Sequence, residues 1–544
     1  MSQLPIRYLP FALVATATAA GVLTLIFFDD WSPVLGWLTL FGAGLTVLGL
    51  RDLAQDQHAV LRNYPLTGHL RYLLEGIRPE IRQYFFESDK DGTPFSRDQR
   101  AIVYQRAKEV KDKRPFGTQF DVYEDGFEWM HHSIAAKSPD GEAPRVEIGG
   151  ADCKQRYNAS LLNISAMSYG SLSPTAVRAL NRGAAIGGFA HDTGEGGISD
   201  HHRRHNGDLI WEIGTGYFGC RTKDGAFDAA QFTDVAQDEQ VKMVELKLSQ
   251  GAKPGHGGIL PSAKITPEIA EIRGIPEGAD CVSPPAHSAF ATPIEMMEFI
   301  SELREKSGGK PTGFKLCIGH PWEFLAICKA MIETDLTPDF IVVDGSEGGT
   351  GAAPLEFLDS VGMPLREGLL FVANALVGAG LRDRVRIGAS GKVTTGFDIA
   401  RALAVGADWC NAARGFMFAV GCIQAQACHT GKCPTGVTSM DPLRYRGIKV
   451  VDKAERVANF HRETLRSLSE MVAAAGLDDP SELKPEHFRR RTSPDDLVTF
   501  ATHYRALQPG ELLDGTDHPE FATPWAMARA DTFKRAEPFR KLVS

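Results

Sequence analysis

Two long apolar runs open the chain. Residues 9–28 (LPFALVATATAAGVLTLIFF) and 32–50 (SPVLGWLTLFGAGLTVLGL) contain no charged residue, and each approaches the roughly 20 residues that cross the apolar core of a bilayer. Their connector, DDW, is acidic, whereas Arg7 precedes the first run and Arg51 follows the second. Because positive charge stays on the cytoplasmic side, the pattern predicts a transmembrane hairpin over 1–51 with both ends in the cytoplasm. A hairpin buried in a soluble protein is the alternative.

From residue 151 to 440, short apolar or β-branched runs alternate with helical stretches. The runs include SLLNISAMSYGS, KMVELKLSQG, GFKLCIG, DFIVVDGSEGG, RVRIGASG and DWCNAARG. Strands that alternate with helices predict parallel βαβ units. Seven or eight units over about 280 residues favour an α/β fold, a TIM-like (β/α)8 barrel with its active site at the carboxyl ends of the strands. A doubly wound sheet is the alternative, and it predicts an early GxGxxG fingerprint that is not found after the first strand.

The segments that flank this region are polar. Residues 52–150 are irregular, with one predicted exposed helix in RDQRAIVYQRAKEVKDKR, and we interpret them as a connector and cap. Beyond Met440 the sequence becomes charged, and KAERVANFHRETLRSLSEMVAAAG predicts a long amphipathic helix. The sequence therefore predicts a helical C-terminal extension over 441–544.

Composition and charge narrow the class of protein. The chain of 544 residues has a formal net charge of -9 at pH 7, which offers no basic surface for nucleic acid. Nine cysteines in so long a chain do not form a disulfide framework. They fit a reducing compartment, where thiols stay free or bind metal.

Three of these cysteines lie in one short stretch, GCIQAQACHTGKCPTG. Cys422, Cys428 and Cys433 have the spacing C-x5-C-x4-C, and Pro434 follows the last of them. Thiolates suit zinc, copper(I) or iron–sulfur clusters, and a Cys-Pro ending is typical of bacterial iron–sulfur runs. On spacing alone, a cluster and three unrelated free thiols remain open alternatives.

Three glycine-rich loops follow successive late strands of the predicted barrel. They supply Gly348, Gly349, Thr350 and Gly351, then Ser390, Gly391 and Lys392, and then Arg414 and Gly415. Such loops let backbone amides approach a phosphate, and barrel enzymes commonly bind phosphate at their late strands. One such loop is an ordinary turn, but three in succession predict a phosphate site, with Arg414 as a clamp.

Charged residues mark other strand ends. Lys315 lies inside an apolar strand, where an ammonium group needs a partner, either a carboxylate or the pyrimidine edge of a flavin. HDTGEGGISDHHRRH places Glu195 among glycines, and its histidines match no common metal spacing. ELKLSQGAKPGHGG brings Lys247, Gln250 and Lys253 to a glycine loop, which predicts a pocket for a carboxylate substrate unless the loop is merely solvated.

Taken in order, these stretches resemble the FMN-binding domain of the glutamate synthases. The resemblance covers roughly 150–500 and rests on AMSYGSLSPTA, DTGEGG, ELKLSQGAKPGHGG, VSPP, FKLC, GSEGGTGAAP and GCIQAQACHTGKCPTGV. It implies that the three cysteines ligate a [3Fe–4S] cluster and that Glu195 and Lys253 are catalytic. It implies that Lys247, Gln250 and Arg273 bind substrate. The residues implied to surround FMN are Met167, Ser168, Lys315, Gly348, Gly349, Thr350, Gly351, Ser390, Gly391, Lys392, Arg414 and Gly415.

The resemblance also implies a reaction. It is the reductive amination of 2-oxoglutarate or a related 2-oxo acid, or its reverse, by an oxidoreductase acting on CH–NH2 donors, with reduced FMN as the hydride source. Tyr217, His256 and Ile259 stand where the family has an arginine, a glutamate and a glutamine, which predicts a changed substrate preference. We expect no N-terminal glutaminase domain, so nitrogen would come from a separate amidotransferase subunit, from ammonium or from an amine.

The hairpin and the resemblance together predict where the enzyme acts and with which partners. The expected location is the bacterial inner membrane, with lipid around the hairpin and the catalytic domain in the cytoplasm. The expected electron donor is a ferredoxin or a membrane quinone. One alternative is an electron-transfer subunit that passes electrons through FMN and the cluster to a partner. Another is a cofactor-bearing scaffold without turnover.

Overall fold

A computed structural model describes residues 6–29, 32–110, 112–139 and 141–536. It contains two compact units, Met1–Arg97 and Asp98–Ser544. Asp30 and Trp31 of the predicted hairpin connector lie outside the described residues. Each unit is described by itself.

The first unit is helical. Its α-helices are α1 (Leu9–Phe27), α2 (Pro33–Ala54), α3 (Ala59–Asn63) and α4 (Gly68–Ile81), and a π-helical turn over Arg82–Phe86 continues α4. Helices α1 and α2 pack closely because small residues meet between them: a Cβ at Gly21 would lie 2.4 Å from Oγ1 of Thr39. Thr46 and Thr18 also approach across the pair, with their Oγ1 atoms 3.3 Å apart. Close contact through small residues is typical of helix pairs in membranes.

By length and composition, both of these helices are able to cross a membrane. Their most apolar windows have mean hydropathies of 2.0 and 1.7, and only 6% and 11% of the residues in those windows are buried. A core helix of a soluble protein would be mostly covered, so the low burial favours the predicted hairpin over its alternative.

The second unit is built on a closed parallel barrel. Each strand pairs with the next in chain order, and the last pairs with the first. The strands are β1 (Leu162–Ile164), β2 (His191–Asp192), β3 (Leu209–Ile213), β4 (Val241–Lys247), β5 (Thr312–Leu316), β6 (Phe340–Asp344), β7 (Arg386–Ser390) and β8 (Trp409–Ala412). Closure confirms the predicted (β/α)8 barrel, because a doubly wound sheet would leave two open edges.

Helices follow each of the eight strands. They span Pro174–Gly187, Asp200–Arg203, Ala229–Ala236, Pro293–Lys306, Pro321–Thr334, Leu365–Gly378, Gly396–Ala404 and Arg414–Val420. Ser173, Thr292 and Thr395 cap three of them by accepting a hydrogen bond from the backbone amide three residues on. These caps satisfy amides that the first helical turn leaves without partners, which fixes where those helices begin.

The loop between β4 and β5 is long and carries its own small elements. A short antiparallel pair, Ile259–Leu260 with Cys281–Val282, encloses the helix Pro267–Arg273. This insertion lies at the carboxyl end of β4 and therefore covers the face where barrel enzymes place their active sites.

The polar flanks differ from two expectations. The helix Arg97–Ala107, expected to be exposed, buries Val103 and Ala107, and Arg106 donates to Oγ1 of Thr464 over 3.2 Å. Long charged side chains can bury their apolar stems while their charged ends reach a partner. The charge of this sequence therefore did not reveal that the helix is partly buried.

The C-terminal extension begins with the expected long helix, Val450–Ala474, and then contains strands. Phe488–Ser493 and Asp496–Thr499 pair with each other, and the former pairs with Glu128–Met130. The strand Phe488–Ser493 contains three consecutive arginines and so lacks the apolar alternation that predicts a strand. For this reason the extension was expected to be helical throughout. Among the described residues, the remaining strands are Arg145–Ile148 and Tyr157–Ser160, and the remaining α-helices are Leu355–Ser360, Pro442–Tyr445, Phe500–His503, Glu511–Asp514 and Ala522–Met527.

Candidate active site

The lysine-bearing loop after β4 and the glycine loop after β6 meet backbone to backbone. The amide of Gly251 donates to Oδ2 of Asp344 over 2.7 Å. A Cβ at Gly251 would lie 1.8 Å from the carbonyl oxygen of Gly345, so no larger residue fits without separating the loops. The predicted substrate loop and the predicted cofactor loop therefore form one surface.

Arg414 joins the glycine loop to the cysteine loop. Its Nη2 donates to the carbonyl of Thr350 over 2.7 Å. Its Nη1 lies 3.8 Å from Sγ of Cys428 and 3.4 Å from Sδ of Met417. The guanidinium is thus positioned between the predicted phosphate site and the predicted cluster ligands.

The turn after β1 packs on the turn after β2. A Cβ at Gly194 would lie 2.5 Å from the amide nitrogen of Ser168. Arg273 is buried behind these turns and donates to the carbonyl of Tyr169 over 3.2 Å, with Oγ of Ser168 3.4 Å away. The structure gives Arg273, predicted to bind substrate, a role in holding the Met167–Ser168 turn.

The remaining predicted FMN residues lie at the ends of β7 and β8. Oγ of Ser390 lies 3.3 Å from Oγ of Ser165 at the end of β1, and Lys392 adopts a left-handed backbone with φ 51°. A Cβ at Gly351 would meet no atom within 4 Å. Open space over a glycine loop beside a guanidinium is the arrangement that a phosphate cradle needs, so these residues fit the phosphate of FMN.

A narrow cleft opens between the lysine loop and the loops after β2 and β3. Nζ of Lys247 lies 3.1 Å from Oε2 of Glu195 at one wall of this cleft. The residues that line the cleft are Glu195, Thr215, Lys247, Leu248, Ser249, Gln250, Gly255, His256, Gly257, Gly258, Pro284 and Pro285. Three of the predicted site residues therefore share one cavity.

The electrostatics of the cleft suit an anion. Burial alone would raise the pKa of Glu195, but Lys247 and, to a smaller extent, Arg273 and Lys253 bring that pKa below its ordinary value. Burial lowers the pKa of Lys253, and Glu195 offsets part of this effect. At neutral pH the carboxylate of Glu195 is ionised and contacts Lys247, while the charges of Arg273 and Lys253 act on it from farther away. The side chains around the cleft therefore favour an anion.

The three departures from the family pattern lie in different places. Tyr217 is fully buried, and its hydroxyl lies 3.1 Å from Nδ1 of His287, whose Nε2 lies 2.8 Å from the carbonyl of Lys247. Tyr217 thus supports the end of β4 from behind. His256 lines the cleft, whereas Ile259 is 42% exposed. Of these three residues, His256 is the one that lines the cleft.

The barrel interior holds a buried charge cluster around Lys315, whose individual carboxylate members were not identified from the sequence. Lys315 forms an ion pair with Glu212, and its Nζ lies 3.1 Å from Oε1 of Glu245. Carboxyl oxygens of Asp192, Glu212 and Glu245 lie within 4.8 Å of one another. The sequence signal that could have predicted this cluster was the single acidic residue inside each of the apolar strands LIWEI and KMVELK. Glu245 precedes Lys247 by two residues and shares its strand face, so the cluster lies one layer below the cleft.

This cluster holds a proton in addition to the ammonium group. Burial raises the pKa of Glu245 to about 7, and it raises the pKa of Asp192 well above the ordinary value. Burial disfavours the charged form of Lys315, yet Glu212, Glu245 and Asp192 keep its pKa well above normal. Three carboxylates cannot all ionise around one ammonium without water. Lys315 therefore pairs with carboxylates, which is one of the two partners predicted for it; the other was the pyrimidine edge of a flavin.

The three predicted cluster ligands lie on one loop. Cys422 and Cys433 are buried, Cys428 is partly exposed, and all three are free of disulfides. The amide of Gln424 lies 3.4 Å from Sγ of Cys422, and the ammonium of Lys264 is electrostatically coupled to Cys428 and Cys433.

Burial raises the pKa of the Cys422 thiol to about 11, whereas burial of Cys433 is outweighed by hydrogen bonds with Thr435 and Thr438 that bring its pKa below the ordinary value. Amide donors and cations stabilise thiolates, the form that ligates iron. The donor set therefore fits an iron–sulfur cluster.

Fold and site together define a class: a (β/α)8 barrel whose strand-end loops carry a lysine-bearing cleft, a glycine-rich loop and a three-cysteine loop. The chain belongs to the glutamate synthase family, because the family model described as "Conserved region in glutamate synthase" matches residues 133–478. The glutamate synthase large subunit-like protein YerD of Bacillus subtilis is 37% identical over 492 residues, which cover 83% of this chain and 93% of that protein.

Two further relatives are shorter matches. The archaeal-type glutamate synthase (NADPH) of Thermotoga neapolitana is 32% identical over 321 residues, and the archaeal glutamate synthase (NADPH) of Archaeoglobus fulgidus is 33% identical over 322 residues. Each match covers 59% of this chain and 60% of the relative. A mutant flavocytochrome b2 with pyruvate bound matches with a TM-score of 0.40 and 13% identity over 88% of this chain and 96% of that chain. The family establishes a glutamate-synthase-like oxidoreductase.

Proposed function

We propose that this chain is a membrane-tethered flavin and iron–sulfur oxidoreductase that interconverts a 2-oxo acid and an amino acid. One observation carries the proposal: a cleft that pairs Glu195 with Lys247 lies on the same strand-end surface as Arg414, which bridges the glycine loop and Cys428. Such a surface holds substrate, flavin phosphate and cluster ligands side by side.

The residues named above would hold the two cofactors. The glycine loop 348–351, Arg414 and the turn at 390–392 would hold FMN, and Cys422, Cys428 and Cys433 would hold a [3Fe–4S] cluster. When bound, FMN supplies two-electron hydride chemistry and the cluster supplies single electrons. The protein's own contribution is binding, orientation and charge.

The cleft residues have separate roles. Lys247, Lys253 and Gln250 would bind the carboxylate groups of the substrate, since charge-assisted hydrogen bonds are the strong kind. The ionised carboxylate of Glu195 would accept a proton from the substrate nitrogen in the oxidative direction and return it in the reductive direction. Arg273 would act indirectly by holding the Met167–Ser168 turn.

The substrate of this proposal is a dicarboxylate such as 2-oxoglutarate or a close analogue. The cationic side chains around the cleft support a carboxylate ligand, and His256 supports a preference that differs from the family's. Nitrogen would come from ammonium, an amine or a separate amidotransferase subunit. Electrons would come from a ferredoxin or, given the apolar helices α1 and α2, from a membrane quinone at the inner membrane.

The test uses the full-length chain purified anaerobically in detergent. We expect about one FMN and about three irons per chain, and bleaching of the flavin by one member of an amino-acid panel. The same flavin, once reduced, should be reoxidised by the matching 2-oxo acid with ammonium. Zinc in place of iron would overturn the cluster. Redox cycling with a ferredoxin or quinone but with no acid in the panel would favour the electron-transfer alternative.

A further inference from the structure

Helix α4 and its π-helical continuation carry an apolar face that is exposed along its length. Apolar residues recur at steps of three and four, which places them on one side of a helix. The exposed members are Leu70 (58%), Leu73 (61%), Leu74 (51%), Ile77 (41%), Tyr84 (54%) and Phe85 (80%). Exposed apolar patches of this extent mark an interaction surface.

This face begins beside the end of α2. Asp52, in the last turn of α2, is 2% exposed, and its Oδ2 accepts a hydrogen bond of 3.1 Å from the amide of Leu66. The same carboxylate atom lies 2.9 Å from Nε2 of His69 in the first turn of α4. These contacts attach the start of α4 to the carboxyl end of α2.

The length of α2 then determines the depth in the bilayer at which α4 begins. At about 1.5 Å per residue, a helix of this length extends for about 33 Å, close to the roughly 30 Å of a bilayer's hydrocarbon core. If α2 spans the bilayer, its last turn lies at the membrane surface, and α4 starts there.

The other side of α4 suits the headgroup region. Arg71, Arg78 and Arg82 follow one another at near-whole-turn steps along one flank of the apolar face. Two of them have acidic partners: Nε of Arg71 lies 2.9 Å from Oε1 of the exposed Glu75, and Nε of Arg82 lies 3.0 Å from Oε1 of Glu87, whose side chain is largely buried. An apolar face with aromatic residues and an arginine-bearing polar flank is the pattern of helices that lie in a membrane interface.

We propose that residues 68–86 lie in the interface of the bilayer, on the side of Arg51, with their apolar face among the lipid acyl chains. This inference rests on the membrane tether of the proposed function and adds a second lipid contact to it. The segment carries five charged residues, Arg71, Glu75, Arg78, Glu80 and Arg82, and is therefore too charged to be a third span. Its occupant is the lipid surface rather than another protein, because the hydrogen bonds of Asp52 hold it at the end of a helix that is itself apolar and uncovered.

The test uses the full-length chain in vesicles of phosphatidylcholine and phosphatidylglycerol. An environment-sensitive fluorescent amino acid replaces Leu73 on the apolar face, Glu75 on the polar face as a matched control, or the exposed Phe41 inside α2. Lipids brominated near the headgroup or near the chain ends report depth by quenching. We expect headgroup-proximal bromine to quench the probe at 73 about twofold or more and the probe at 75 clearly less than the probe at 73, and deep bromine to quench the probe at 41 but not the probe at 75.

The outcomes separate this inference from the tether. Quenching at 41 without quenching at 73 would overturn the interfacial helix and leave the hairpin intact. Quenching at 73 without quenching at 41 would support the interfacial helix and refute the spanning hairpin. A probe at 73 that is shielded from both brominated lipids, with emission that changes with protein density in the vesicle, would assign the face to a second copy of the chain and overturn the inference.

Discussion

Nζ of Lys315 lies 3.1 Å from Oε1 of Glu245, inside a barrel where the lysine is 3% exposed. The ammonium of Lys315 also pairs with Glu212, and Asp192 completes the group. These residues come from β2, β3, β4 and β5, so one charge cluster ties half of the barrel together beneath the cleft.

Removal of the ammonium group should destabilise the barrel strongly. We expect Lys315→Met to lower the free energy of unfolding by about 3–5 kcal/mol, because it leaves buried carboxylates without a cation. Glu245→Gln should cost much less, since that carboxyl already shares a proton. Urea denaturation of both variants in detergent gives the comparison. Equal losses for the two variants would mean that the ammonium does not neutralise the cluster.

The same cluster should make stability depend on pH. The pKa of Glu245 rises from 4.5 to about 7 in the folded protein, so the folded state binds the proton more tightly than the unfolded state. This contribution to stability is complete below pH 4.5 and is lost as pH rises to about 7. Asp192, also raised, acts in the same direction. Glu245→Gln should flatten the decline of the melting temperature across that window, and an unchanged decline would exclude Glu245 as its source.

The geometry of this cluster explains which parts of the site could be predicted. The local sequence TGFKLCIG was enough to predict that its buried lysine needs a partner, but not which residue the partner is. The partners depend on strand register: Glu212 stands opposite Glu245, and Lys315 stands opposite Lys247. Register in a barrel follows from strand tilt and shear, which no single segment encodes. Strand-end loops were predictable because parallel strands always present their carboxyl ends on one face.

Glu195 should be required for turnover rather than for binding. Glu195→Gln removes the ionised carboxylate that faces Lys247, and we expect kcat for amino-acid oxidation to fall by about 10²-fold or more, with a smaller change in KM. Glu271→Gln, on the exposed side of the helix Pro267–Arg273, is the control and should keep wild-type kcat. Stopped-flow reduction of the flavin measures both. A Glu195→Gln enzyme that reduces at the wild-type rate would remove the carboxylate from the reaction.

Ligand preference should respond to His256 and little to Ile259. His256 lines the cleft, and Ile259 is 42% exposed, so Ile259→Gln adds its amide toward solvent. We expect His256→Glu to change the ratio of affinities for two 2-oxo acids, and Ile259→Gln to leave that ratio within about twofold. Lys253→Ala should weaken every carboxylate ligand about tenfold or more. Flavin-monitored titrations with the same ligand panel test all three, and a shift caused by Ile259→Gln alone would restore the expectation drawn from sequence.

Arg414 should couple the two cofactor sites. Its guanidinium donates to the carbonyl of Thr350 over 2.7 Å and lies 3.8 Å from Sγ of Cys428. Arg414→Gln removes the charge beside both loops, so we expect weaker retention of FMN during dialysis and a changed EPR spectrum of the oxidised cluster. Arg414→Lys keeps the charge but not the planar fork that makes both contacts, and it should fall between wild type and Arg414→Gln in FMN content. Cys428→Ser separates the two effects: it should lose iron while FMN remains, because the phosphate loops lie on β6 and β7. If Arg414→Gln kept FMN and altered only the EPR spectrum, the arginine would serve the cluster alone, and the phosphate clamp would belong to other residues of the 348–351 and 390–392 loops.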